Sequence, residues 1–253
     1  MVIGFRSQGF GLLPIEETQH RLGLMGFRAL ELCVDSGSGR DCLATSERTW
    51  QLEGEGCEIW SVSHHGDYVN SPVTYDELLR ALPLAAHTPS RALVVSSPSY
   101  VGRDRSELRR LTWEALHELA QAAAKLQVKV AVEPEPGLIV ETAADCLALM
   151  DELGDANLGV NADIGHLWLT EEDPLESVSR LQGHLFHCHI TDLAGGIHKH
   201  LVPGTGDLPL CDAVQALQEA DFRGPLIIDL WQLGQAPFDT AEACLLGLGS
   251  SLE

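Results

Sequence analysis

The residues of this 253-residue sequence best equipped for chemistry lie where polar groups cost most, at the ends of apolar β-rich runs. VKVAVEP contains Glu133, LGVNADIGH contains Asp163 with His166 three residues on, HLFHCHITD contains His187 and His189, and PLIIDLW is interrupted by Asp229. The two-residue period of a strand puts His187 and His189 on one face and Cys188 on the other. Glu133, Asp163, His189 and Asp229 make an oxygen-rich donor set with one imidazole. That set suits a hard or borderline divalent ion, Mn²⁺ or Zn²⁺ first and Mg²⁺ or Co²⁺ next, and not a thiolate-selecting metal.

Each residue also has a plainer use. Asp163 can cap a helix or a turn, Glu133 can be a salt-bridge partner, and His189 can be a satisfied core histidine. Asp229 has no positive partner in its local sequence. Four such coincidences on successive runs favour metal binding over four separate structural explanations.

Further candidates surround this set. The segment TDLAGGIHKHLVPGTGD places His198 and His200 two residues apart, so an extended loop aims both the same way; the alternative is a glycine-rich surface loop with incidental histidines. In SVSHHGD, a strand that turns Trp60 and Val62 to the helices turns Ser61, Ser63 and His65 inward, which favours His65 over His64. Glu31 alternates with Leu30 and Leu32 and is another inward carboxylate, either at the substrate or ion-paired with Arg6 or Arg28. GFRSQGFG and the aromatic residues Trp60, Tyr68, Trp168, Trp231 and Phe238 can wall a sugar pocket, with Trp231 expected at the substrate.

Positioning such residues requires a repeating scaffold. Strand-like runs recur at Val2–Phe5, Arg28–Cys33, Cys57–Ser63, Ala92–Ser96, Val128–Glu133, Leu158–Asp163, Leu185–Ile190 and Leu226–Leu230. Between and after them lie helical spacings at Pro14–Leu24, Ser46–Glu53, Tyr75–Ala86, Glu107–Leu126, Ala143–Leu153, Pro174–Leu181, Leu210–Ala220 and Thr240–Leu248. Eight strand–helix units without a linker predict an α/β fold, a (β/α)₈ barrel forming one domain over residues 1–253. A doubly wound open sheet is the competitor, but no glycine-rich phosphate loop follows the first strand. In a barrel, strand C-termini line the mouth, which brings the candidate residues to one rim.

Composition narrows the partners. With 37 acidic against 16 basic residues and a formal charge of −21, nucleic acid and anionic membranes are disfavoured over most of the surface. The seven cysteines contain no C-x-x-C pair and read as buried thiols of a reducing, cytoplasmic compartment. The start MVIGFRSQGFGLL lacks the basic and apolar regions of a signal peptide, and charges interrupt every apolar stretch before membrane-spanning length.

EPEPG at Glu133, N-x-D-x-G-H at Asn161, H-x-H-x-x-D at His187, H-x-H-L-x-P-G-x-G-D at His198 and a strand-eight carboxylate recur in this order. In these motifs the chain resembles the xylose-isomerase-like barrel superfamily, in its sugar phosphate isomerase/epimerase branch, related to the apurinic endonucleases. The resemblance implies metal ligands at Glu133, Asp163, His189 and Asp229, with His166 at the substrate. It implies that His65, His198 and His200 are substrate contacts or ligands of further ions. Asp229 stands where relatives usually carry glutamate, and Ile139 stands six residues past Glu133 where some epimerases carry another glutamate.

The expected reaction is metal-assisted proton transfer alpha to a carbonyl of a small sugar, polyol or inosose, with Glu133 as base, Asp229 returning the proton and His166 polarising oxygen. A dehydratase or keto-glycoside lyase would begin identically. A multinuclear phosphodiesterase acting on damaged DNA lacks the basic cluster it would need, and a non-catalytic binding barrel is the remaining alternative. A homodimer is expected by analogy alone.

Overall fold

The structure, a computed structural model, describes residues 1–44 and 56–251. Its elements run β1 (Ile3–Arg6), α1 (Ile15–Met25), β2 (Ala29–Cys33), α2 (Arg40–Ala44), β3 (Glu58–His64), α3 (Pro72–Ala85), β4 (Ala92–Val95), α4 (Arg105–Lys125) and β5 (Lys129–Val132). They continue α5 (Ala143–Leu153), β6 (Leu158–Asp163), α6 (Ile164–Thr170), α7 (Pro174–Arg180), β7 (Leu185–Ile190), α8 (Leu210–Glu219), β8 (Leu226–Ile228) and α9 (Pro237–Ser251). All strand pairs are parallel, and the order β1 through β8 closes on itself as an eight-stranded barrel. This is the TIM-barrel architecture expected from the strand–helix alternation.

Parallel strands covered by helices are buried on both faces and read as near-continuous apolar runs. β4 (ALVV) is wholly buried, as are the last three residues of β5 (KVAV). The helices close over them through apolar stripes, such as Leu108, Leu116, Leu119 and Ala123 of α4.

Several boundaries moved for local reasons. Capping sets the starts of α3 and α4: Ser71 accepts the Thr74 N–H ahead of Pro72, and Asp104 accepts the Glu107 N–H. Helices α2 and α6 were not expected; α6 is a two-turn segment with too little periodicity to detect in the sequence. The helix expected over Ser46–Glu53 lies outside the described residues.

Cys33, Cys57, Cys146, Cys188 and Cys244 are buried, whereas Cys211 is exposed on α8 and Cys42 is half-buried, which corrects the expectation of uniformly buried thiols. No helix among the described residues is long and apolar enough to cross a membrane.

Candidate metal centre

Four strand ends converge at the barrel mouth. Glu133 follows β5 and is held to β4 by its N–H on the Val95 carbonyl (2.8 Å). Asp163 ends β6, in register with His189 of β7. Asp229 lies one residue past β8, a shorter strand than expected, but its N–H still donates to the Ile190 carbonyl of β7 at 3.1 Å. These backbone bonds tie the strand ends to one another. Ligand atoms of Glu133, Asp163, His189 and Asp229 all lie within 4.8 Å of one another, and all four side chains are buried.

The donor set fits a divalent cation, and its unpartnered atoms show where one would bind. Asp163 Oδ1 caps α6 through the His166 N–H at 2.8 Å, while Oδ2 has no partner. The capping use and the ligand use thus fall on different oxygens of one carboxylate. His189 Nδ1 also lacks a hydrogen-bond partner, although Glu133 Oε2 lies 3.1 Å away and Asp229 Oδ2 3.9 Å away. Two buried polar atoms facing carboxylate oxygens are costly unless a cation joins them.

Below this set the protein supplies its own cation. Arg6 Nη1 donates to both oxygens of Asp229, at 3.0 and 3.1 Å, and Arg6 Nε lies 3.3 Å from Glu31. Burial opposes ionisation of Asp229, but Arg6, His189 and His200 outweigh it and hold the carboxyl below its ordinary value. Glu133 is likewise held well below the usual carboxylate range: burial pushes it up, and the nearby His189 with hydrogen bonds from His166 and His65 pushes it down further. Asn161 Nδ2 donates to Glu133 Oε2 at 2.8 Å.

The candidate substrate contacts separate into two groups. His65, His166, His198, His200 and Trp231 line a cavity of about 420 Å³ above the tetrad, together with Arg6, Gln8, Glu133, Glu135 and Asp229. That volume falls within the ~300–1,000 Å³ of small-molecule sites. Glu31 does not line it: it is sealed beneath the mouth against Arg6, His187 and His189. His64 points outward to Glu77 of α3, whereas His65 faces the site, as the strand period predicts. Of the five aromatic residues considered, Trp231 lines this cavity, while Tyr68 is buried and Phe238 packs on Phe10 in the core.

Hydrogen bonds define the protonation of the imidazoles. Arg6 Nη2 lies 2.6 Å from His65 Nδ1, and a guanidinium only donates, so that nitrogen accepts and Nε2–H is left to donate to Glu133 at 3.2 Å. His166 Nδ1 donates to the Pro134 carbonyl at 3.1 Å, with Glu133 Oε1 3.2 Å away. Burial lowers the His166 pKa, but Asp163 and Glu133 push it up to about 9. His198 is lowered, by burial first and then by the charge of His166. His166 is accordingly the cation, and its Nε2–H donates to His198 Nε2 at 3.0 Å. His200 Nδ1 donates to the Asp229 carbonyl at 2.7 Å. Ligand atoms of His166, His198 and His200 also lie within 4.8 Å of one another.

Sequence reading missed the Arg6–Asp229 pair, Asn161 as a partner of Glu133, and the cavity residue Glu135, whereas Arg6 and Gln8 of GFRSQGFG line the cavity as expected of that segment. Glu135 was visible in EPEPG and Asn161 in N-x-D-x-G-H, but their neighbours drew the reading.

An eight-stranded parallel barrel with a carboxylate–imidazole cluster at its C-terminal rim defines the class, a TIM barrel with a candidate metal centre at its mouth. Within that class, residues 24–245 match the xylose isomerase-like TIM barrel family, and the chain belongs to it. Among curated relatives, D-psicose 3-epimerase of Enterocloster bolteae is 24% identical over 132 residues, 51% of this chain and 42% of that protein. The chain spans about half the length of the curated relatives it matches. Among solved structures, apo 3-keto-D-glucoside 4-epimerase YcjR of E. coli superposes with a TM-score of 0.84 at 18% identity, covering 99% of both chains. The zinc-bound IOLI protein superposes with a TM-score of 0.79 at 16% identity, covering 99% of this chain and 96% of that one. At these identities the likeness to solved structures is one of fold.

Proposed function

We propose that this chain is a divalent-metal-dependent isomerase or epimerase of small keto-sugars or inososes that moves a proton alpha to a carbonyl. The observation that carries this reading is the tetrad Glu133, Asp163, His189 and Asp229, with unpartnered Asp163 Oδ2 and His189 Nδ1, at the base of a small-molecule cavity. An ion held there supplies Lewis acidity for charge developing on a substrate oxygen.

The remaining work falls to the chain. Glu133 is ionised and lines the cavity, so it takes the proton from carbon. Asp229, also in the cavity wall and held ionised by Arg6, would return a proton from a second position only after taking one from solvent or a substrate hydroxyl. His166 lines the cavity, and its Nε2–H, which points at His198 Nε2 at 3.0 Å, would turn to a substrate oxygen in place of His198. Trp231 supplies an apolar ring at the rim. Epimerases of psicose and of a keto-glucoside among the similar proteins support the substrate class.

The triad of His166, His198 and His200 favours a second reading, a multinuclear phosphodiesterase, against which the charge of −21 stands. Elemental analysis of chelator-free protein separates the two. One Mn or Zn per chain, lost in the double variant Glu133→Ala, Asp163→Ala, supports the isomerase, and solvent deuterium should then enter a keto-sugar or inosose in the wild type alone. Two or three ions per chain support the phosphodiesterase, and none under metal-replete conditions sinks both.

A further inference from the structure

Glu31 sits in the barrel interior with no exposure, below the cavity and out of reach of a substrate. Its carboxylate accepts from His187 Nε2 at 2.7 Å, from His189 Nε2 at 3.0 and 3.1 Å, and from the Ser61 hydroxyl at 3.3 Å. The geometry points to Glu31 as a positioning residue that fixes the tautomer and direction of His189, so that Nδ1 presents its lone pair to Glu133, Asp163 and Asp229. This inference rests on the metal reading above and adds a role for a residue that reading does not use.

A carboxylate has only acceptors, so each imidazole nitrogen bonded to it must carry hydrogen. With the hydrogen on Nε2, the other ring nitrogen is free to act as a ligand, and His189 Nδ1 is the unpartnered atom 3.1 Å from Glu133 Oε2. A carboxylate behind a ligating histidine both orients the ring and raises its basicity. Arg6 Nε, 3.3 Å from Glu31 Oε1, and Ser61 hold the carboxylate from its other sides. Glu31, His187 and His189 are also close enough to share an ion themselves, but the Arg6 guanidinium already supplies the positive charge at Glu31. The enclosed lower cluster is therefore a support for the upper one.

The test compares wild type with Glu31→Gln and Glu31→Asp. Glutamine keeps the volume but replaces one acceptor oxygen by an NH₂, and because His189 Nε2 lies within 3.1 Å of both oxygens, it meets that donor whichever way the amide turns and is driven toward the other tautomer. Isothermal titration with Mn²⁺ should show about 10- to 100-fold weaker binding in Glu31→Gln, with part of the loss recovered in Glu31→Asp. In the Zn²⁺-loaded wild type, ¹⁵N NMR should show His189 protonated at Nε2 and metal-shifted at Nδ1. Wild-type affinity in folded Glu31→Gln, or ligation through Nε2 in the wild type, overturns the role of Glu31. The wild-type spectrum decides the question even where the glutamine variant does not fold. A wild type that takes up no ion sinks the metal reading and this inference with it, whereas tight binding in both proteins overturns only the role of Glu31.

Discussion

Asp229 and Arg6 are 223 positions apart, and their pairing shows what strand ends can do that local sequence cannot announce. Read along PLIIDLW, Asp229 is a carboxylate without a partner. The partner comes from β1, which closes the barrel beside β8 through Gly4 opposite Ile227 and Phe5 opposite Ile228. Arg6 neutralises both Asp229 and Glu31 in the buried interior, so removing it strands charge where water cannot compensate. Arg6→Met should destabilise the chelated protein by about 3–5 kcal/mol, the usual cost of breaking a buried pair from one side. A bound divalent ion replaces part of the lost charge at Asp229, so the deficit should shrink when Mn²⁺ is added. Urea unfolding of both proteins with EDTA and with Mn²⁺ measures the two differences. Equal deficits under both conditions would show that Arg6 and the ion do not share Asp229.

The eight strands were legible because buried parallel strands are apolar runs that end in polar residues, and each expected strand lies within two residues of an observed one at either end. The tetrad was legible for the same reason, since a charge at the end of such a run marks the rim. Contacts across the lumen were not. Strand period says that Glu31 points inward but not that His187 and His189, more than 150 positions away, meet it there. The loop after β7 is a third case. HKHLVPGTGD displayed its histidines, while the group that shapes the loop, Asp192, was visible as the last residue of H-x-H-x-x-D but was given no role. Its carboxylate accepts four backbone N–H groups: Leu193 and Leu208 on Oδ1 at 2.9 and 3.1 Å, and Gly204 and Gly206 on Oδ2, both at 2.8 Å. A Cβ at Gly206 would come 2.3 Å from Asp192 Oδ1, so the close wrap requires glycine there. Asparagine at 192 would set an NH₂ against one pair of these donors and leave them unsatisfied, at about 1–3 kcal/mol each. Asp192→Asn should therefore raise amide exchange and protease cutting across residues 193–208 and lower turnover through His198 and His200. Ion affinity should stay at the wild-type level, because no member of the tetrad lies in the loop. A parallel loss of ion affinity would mean that loop and tetrad form one cooperative unit.

The whole molecule concentrates its electrostatic balance at one end of the barrel, and that makes stability depend on pH and on the ion together. In chelated protein, Glu31, Glu133 and Asp229 have folded pKa values below their unfolded ones, each because neighbouring cations outweigh the effect of burial. Their stabilisation is complete above the unfolded carboxylate values of about 4 and is lost as the pH falls through the folded values. His166 has the opposite sign, as do His65 and His189: its folded value of about 9 exceeds the unfolded value, as does the His65 value of about 10, and His189 is raised well above its ordinary value. The His166 contribution is complete below pH ~6.5 and disappears as the pH rises through about 9. Chelated protein should thus be most stable between about pH 5 and 6.5 and weaken steadily toward pH 9. A divalent ion reverses the alkaline limb, because it binds deprotonated ligands and supplies the positive charge that an imidazolium loses. With the ion at 100 times its dissociation constant the expected gain is about 2.7 kcal/mol, and the slope between pH 7 and 9 should flatten. Urea midpoints across pH 5–9, with EDTA and with Mn²⁺, read both effects. Chelated protein that is as stable at pH 9 as at pH 6 would show that the imidazolium charges of this cluster do not support the fold. Curves unchanged by Mn²⁺ would remove the ion from the account of this barrel mouth.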